Sequence, residues 1–145
     1  MKISIGADHG GVSLKKGLVE SLARMGHEIV DHGTHGSESV DYPDYARAVC
    51  TDITEGRCER GILVCTSGIG MSMVANRIPG IRAALVHFPV DAASCRGHND
   101  ANVLCLGARN ETAESAAELA HIFLETPFEG GRHSRRVNKI EGCGC

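Results

Sequence analysis

The sequence predicts an α/β fold: a five-stranded parallel sheet with helices on both faces. Two observations predict it. Short apolar runs alternate along the chain with segments of helical period, the order that winds a parallel sheet. Two of those runs, Ile62–Cys65 and Val103–Leu106, are apolar without a break, as strands covered on both faces are. At 145 residues, 42% hydrophobic and 23% charged, the composition fits one domain over 1–145, with no repeat, linker or low-complexity tract.

Each element has its own reason. Lys2–Ala7 is the first strand and ends in Asp8-His9-Gly10-Gly11. Val12–Met25 is a helix because Leu14, Leu18, Leu22 and Met25 share a face, and Gly26 closes it. His27–Asp31 is the second strand, and 32–41 is a polar loop. Tyr42–Thr54 is a helix with Pro43 in its first turn. Gly61–Cys65 is the third strand, Thr66–Gly70 a tight loop and Met71–Arg77 a helix. Arg82–His87 is the fourth strand, Val90–Arg96 a short helix and Asn102–Leu106 the fifth strand. Thr112–Leu124 is an Ala- and Glu-rich helix, and Gly130–Ile140 a basic helical segment.

Composition excludes several functions. A net charge of −3, no Trp and 3% aromatics argue against nucleic-acid binding. No apolar run approaches the ~18–20 residues of a membrane span. The chain enters a strand pattern at once, without a signal peptide. Its seven cysteines are odd in number, which disfavours a disulfide framework and points to the cytoplasm. No Cys/His spacing resembles a zinc site. Cys143-Gly144-Cys145 reads as a frayed terminus and Cys105 as core filler.

Ligands of parallel sheets sit at the carboxyl ends of strands. That rule selects Asp8-His9, the loop after Cys65, and Gly107-Ala108-Arg109. In Cys65-Thr66-Ser67-Gly68-Ile69-Gly70 a thiol ends a buried strand and a Gly-rich loop opens a helix. Backbone N–H groups there can form an anion nest that favours a thiolate or stabilises an oxyanion. The loop is no P-loop, dinucleotide fingerprint or cysteine-phosphatase loop, because Met71 and Met73 stand where those need other residues. The plainer reading is a structural Cys before a turn. Asp8 and His9 face the same cleft or, more plainly, Asp8 caps the first helix. Arg132 and Arg136, four apart, can grip one phosphate or form a solvated basic face. His98-Asn99-Asp100-Ala101-Asn102 reads as an Asx-type turn entering the fifth strand at its amino end. If His98 is catalytic, it serves a neighbouring subunit's cleft and the chain is a dimer with shared sites. His27, His32, His35, His87 and His121 have no partner spacing and read as structural.

These motifs, with Asp41-Tyr42-Pro43, Ala75-Asn76-Arg77, Gly80-Ile81-Arg82-Ala83 and Gly130-Gly131-Arg132-His133, occur in an order that resembles type B ribose-5-phosphate isomerase. That group belongs to the sugar-phosphate isomerase family that includes the galactose-6-phosphate isomerase subunits. The resemblance covers roughly residues 2–140. It implies a Rossmann-like three-layer α/β/α sandwich, a homodimer (alone or paired into a dimer of dimers) with sites between subunits, and no metal or nucleotide. It also implies interconversion of ribose 5-phosphate and ribulose 5-phosphate, with the tail from about 130 to 145 reaching over the site or the dimer interface. By motif position Cys65 is the base and His98 the ring-opening residue. Asp8, His9, Thr66, Ser67, Gly68, Ile69, Gly70, Asn99, Arg109, Arg132 and Arg136 fall on substrate-binding positions. A branch of the family with a glutamate base just after the loop is a poorer match, because Met71 stands there.

The implied chemistry passes through a cis-enediolate. Three other readings stand beside it: an isomerase of allose or galactose 6-phosphate, a non-catalytic sugar-phosphate-binding module, and a cysteine hydrolase using His98-Asn99.

Overall fold

The computed structural model describes residues 1–142. Five strands, β1 (Lys2–Ala7), β2 (Glu28–Asp31), β3 (Arg60–Cys65), β4 (Ala83–Leu85) and β5 (Val103–Gly107), form one sheet in the order β2-β1-β3-β5-β4. Every pairing is parallel. Six helices accompany it: α1 (Val12–Arg24), α2 (Tyr42–Thr54), α3 (Ile69–Ala75), α4 (Pro89–Gly97), α5 (Ala113–Glu125) and α6 (Arg132–Ile140). The three-layer α/β sandwich expected from the sequence is the fold observed. None of these helices is long and apolar enough to cross a membrane.

Period-two alternation sends each strand into two cores. Ile62, Val64, Leu104 and Leu106 face one layer, with Leu14, Leu18 and Leu22 of α1, Ala92 of α4 and Phe123 of α5. Leu63, Cys65, Val103 and Cys105 face the other, with Ala46, Val49 and Cys50 of α2 and Met71 and Ala75 of α3. Cys105 is fully buried in this second core, and burial pushes its thiol well above the ordinary value. It is the core filler that its strand context predicts.

Most element boundaries shift by a residue or two from the sequence expectation, and two of the shifts have a local cause. Helix α3 begins at Ile69 rather than Met71, because Gly68 takes a left-handed φ of +76° and turns the chain straight into the helix. Strand β4 shrinks from Arg82–His87 to Ala83–Leu85. It is an edge strand paired only with β5, and Arg82 turns its side chain to the loop that precedes β5.

His32, read as structural from its lack of partner spacing, is tied into a network. Its Nε2 lies 2.6 Å from Asp52, whose carboxylate also accepts from Ser4 and Arg57. Burial alone would raise the pKa of Asp52, but these partners outweigh it and hold the carboxyl pKa down at about 2.

The chain leaves β1 in one direction and β3 in the other. Helix α1 therefore packs on one face of the sheet and α3 on the opposite face, and a crevice opens between the loops that follow β1 and β3.

Candidate active site

Cys65 ends β3 at this crevice and is 5% exposed. The Gly68 N–H donates to its Sγ at 3.0 Å. The next amide, Ile69 N–H, goes to Ser67 Oγ at 3.3 Å, so one backbone donor serves the sulfur rather than a row of them. Thr66 and Ile69 are exposed beside it, with Ser67 and Gly70 half-buried. The neighbouring loops are stitched to this one. Ala108 N–H donates to the Cys65 carbonyl and Arg109 N–H to the Thr66 carbonyl, which holds exposed Arg109 at the same edge. Gly10 lies so close that a Cβ there would stand 2.2 Å from Thr66 Oγ1.

Asp8 does not cap α1. The N-cap is Gly11, and Asp8 instead accepts the Gly10 N–H at 2.9 Å, closing the turn over β1. The Val40 N–H donates to Nδ1 of His9 at 3.2 Å, so the Nε2 of this exposed ring carries the proton and is a donor for an anion.

The remaining candidates lie at the other edge of the sheet. His98 is the C-cap of α4, and its chain enters β5 at the amino end. Its side chain is 45% exposed and stacks on His133 of α6, with centroids 4.5 Å apart and planes 8° from parallel. Asn99 is exposed next to it. Arg132 and Arg136 are exposed on α6, whose buried side is His133 and Val137. The tail residues in α6 thus lie against the amino-edge turn. Cys143, Gly144 and Cys145 lie outside the described residues.

Glu129 and His133 were not among the candidates read from the sequence. Glu129 lies 3.5 Å from Nε2 of both His98 and His133, and its N–H donates to the Gly97 carbonyl. Burial first, then the adjacent His98 ring, pushes His133 below the ordinary imidazole value. No local period signals this meeting, because a backbone bond made over a long sequence separation creates it. His98, Glu129 and His133 offer ligand atoms within 4.8 Å of one another. The two rings are nearly parallel, so their in-plane lone pairs run side by side and do not converge on one ion until a ring turns.

The structure therefore sorts the candidates into two sets. Asp8, His9, Cys65, the Thr66–Gly70 loop and Arg109 share the carboxyl edge, while His98, Asn99, Arg132 and Arg136 share the amino edge. A strand the length of β3 separates them, roughly 15–20 Å at ~3.3 Å per residue. The carboxyl edge can bind an anion and present a sulfur base. The amino edge can bind an anion and exchange a proton at an imidazole.

Gly68 carries the first edge's geometry. A Cβ at Gly68 would meet the Leu106 carbonyl carbon at 3.0 Å in a left-handed backbone. Gly68→Ala is expected to cost about 1–2 kcal/mol from its backbone alone, read as a lower denaturation midpoint.

Residues 3–140 match the family model described as Ribose/Galactose Isomerase. A provisionally named sugar phosphate isomerase of Bacillus subtilis is 46% identical over 141 residues, covering 97% of this chain and 95% of its own. Ribose-5-phosphate isomerase B of Escherichia coli is 42% identical over 139 residues, covering 96% and 93%. The crystal structure of a ribose 5-phosphate isomerase of Thermotoga maritima superposes with a TM-score of 0.95 at 49% identity, covering 97% of each chain. With the fold, the family model and whole-length relatives in agreement, the chain is an enzyme of the ribose/galactose isomerase family.

Proposed function

We propose that the protein interconverts D-ribose 5-phosphate and D-ribulose 5-phosphate, in a cytoplasmic homodimer whose sites each draw on both chains. The observation that carries this reading is Cys65, a thiol 5% exposed at the carboxyl end of a buried strand and fed by the Gly68 N–H. The names of the Escherichia coli and Thermotoga maritima relatives supply the sugar.

Cys65 as thiolate takes the proton from C2 of the open-chain aldose. The electron pair left behind forms the C1=C2 bond, and the charge moves to O1 as the enediolate. The thiol returns the proton to C1, and the proton on O2 passes to O1, leaving a carbonyl at C2. The Ser67 hydroxyl and the Gly70 N–H stabilise the enediolate oxygens, since the Gly68 N–H serves Cys65 and the Ile69 N–H serves Ser67. His98 opens the ring by moving a proton between the anomeric hydroxyl and the ring oxygen. His9, Arg109, Arg132 and Arg136 hold the phosphate, with Asn99 and Asp8 on the sugar hydroxyls.

A base and a ring-opening group acting on one five-carbon sugar cannot stand a strand's length apart. A two-fold pair of chains resolves this by laying the amino edge of one over the carboxyl edge of the other, twice. Ile69 and Met73, exposed one helical turn apart on α3 beside Cys65, offer the apolar surface for it.

Conversion of ribose 5-phosphate to ketose, with allose 6-phosphate in parallel, tests the substrate. Ketose from the pentose phosphate supports the proposal; ketose from the hexose phosphate alone moves the substrate. Arg136→Ala is expected to raise the Michaelis constant roughly 10–100-fold, the worth of a charged hydrogen bond, with a smaller change in kcat. An unchanged Michaelis constant removes Arg136 from the phosphate site.

A further inference from the structure

We propose that Arg82 is a positioning residue for the isomerisation: it holds the His98–Asn99 turn in the shape that the other copy's crevice requires. The inference rests on the assignment of His98 given above. Asp100, directly after His98 and Asn99, has a φ of +48°, the one positive φ at a non-glycine residue among the described residues. Its carboxylate is pinned from two sides, by Arg82 Nη2 at 3.0 Å and by Arg96 Nη1 at 2.7 Å.

The same two guanidinium groups take up the carbonyls of the turn. Arg82 Nε donates to the Asn99 carbonyl at 3.2 Å and to the Asp100 carbonyl at 2.9 Å. Arg96 Nη1 donates to the Ala101 carbonyl at 2.7 Å. Arg82 is also held at its backbone, where its N–H donates to Asn102 Oδ1 at 2.9 Å. Its Nη1 bonds the carboxylate of Glu141, the C-cap of α6. One side chain therefore ties the turn bearing His98 and Asn99 to the helix bearing Arg132 and Arg136. The side chains of Arg82 and Arg96 are 16% and 4% exposed, and the Arg96 guanidinium also lies 5.8 Å from the centre of the Phe123 ring. A turn that only linked α4 to β5 would not need two largely buried guanidinium groups to hold an unfavourable backbone in place.

Arg82→Lys keeps the charge and loses the planar fork, so it cannot serve these acceptors together. Asp100→Asn keeps the shape and the tolerance for a left-handed backbone while removing the charge. Both variants would be assayed with ribose 5-phosphate and with 4-deoxyribose 5-phosphate, which lacks the hydroxyl that closes the ring. Amide hydrogen exchange would be followed at His98, Asp100 and Ala101. The expected result for each is a loss in kcat of about 30–100-fold on the ring-forming sugar and about threefold or less on the ringless one, as a misplaced His98 demands. Exchange at the three amides should rise about tenfold or more while the rest of the protein exchanges as before. Equal losses on both sugars, or unchanged exchange at the turn, would overturn the proposal. Should Arg82→Lys fail to fold, Asp100→Asn alone decides. If the wild-type protein converts neither sugar, the substrate assignment fails, and the exchange rates alone judge whether the clamp holds the turn.

Discussion

Cys65→Ala should reduce conversion of ribose 5-phosphate by on the order of 10⁴, the upper range for losing a proton-transfer group, because no other described side chain at the carboxyl edge is placed to take its proton. Its neighbours cannot take over. Met71 has no ionisable group, and Asp8 is committed to the Gly10 N–H. The variant should keep its fold, since Ala fits a position already packed among Met71, Ala75 and Cys105. Its affinity for inorganic phosphate should stay unchanged, because the phosphate contacts are assigned to other residues. Steady-state rates and phosphate titration on the same preparation check both halves. Normal turnover would remove Cys65 as the base; lost phosphate affinity would mean the variant has a wider defect.

His98→Asn should act on a different step. Loss of a positioned acid/base group costs about 10²–10⁴ on ribose 5-phosphate, which closes to a ring. On 4-deoxyribose 5-phosphate the same variant should run near the wild-type rate, because no ring needs opening. Asn fits the half-exposed position and keeps the backbone N–H that bonds the Ser94 carbonyl, so the turn should survive. Equal losses on the two sugars would place His98 in the proton transfer between carbons, or in structure alone.

Much of this was legible in the sequence, and the reasons are local. The run Ile62-Leu63-Val64 announces a strand covered on both faces, and the two cores it feeds confirm that reading. The Gly-rich loop after Cys65 is legible because a strand-to-helix turn of that tightness needs a left-handed residue, and Gly68 is one. The order of the sheet is not local. Nothing in the spacing of β4 and β5 says that β5 inserts between β3 and β4.

The site followed the same division. Cys65 and Asp8 could be found by the rule that ligands gather at the carboxyl ends of strands. His98 could be assigned to the opposite end by its place before a strand, and the structure puts it there. Glu129, His133 and Arg82 could not, because each reaches His98 or its turn through contacts made across long stretches of chain. The pairing of His32 with Asp52 was hidden for the same reason, since they stand 20 positions apart.

In the proposed mechanism each site is built from two chains. Cys65→Ala and His98→Asn chains can be co-expressed with different tags and the mixed pairs purified through both. In a mixed pair one site carries both substitutions and the other carries neither, so about half the wild-type rate should return from two inactive parents. Mixed pairs no more active than the single variants would show that Cys65 and His98 do not meet across an interface, and the shared site would fall.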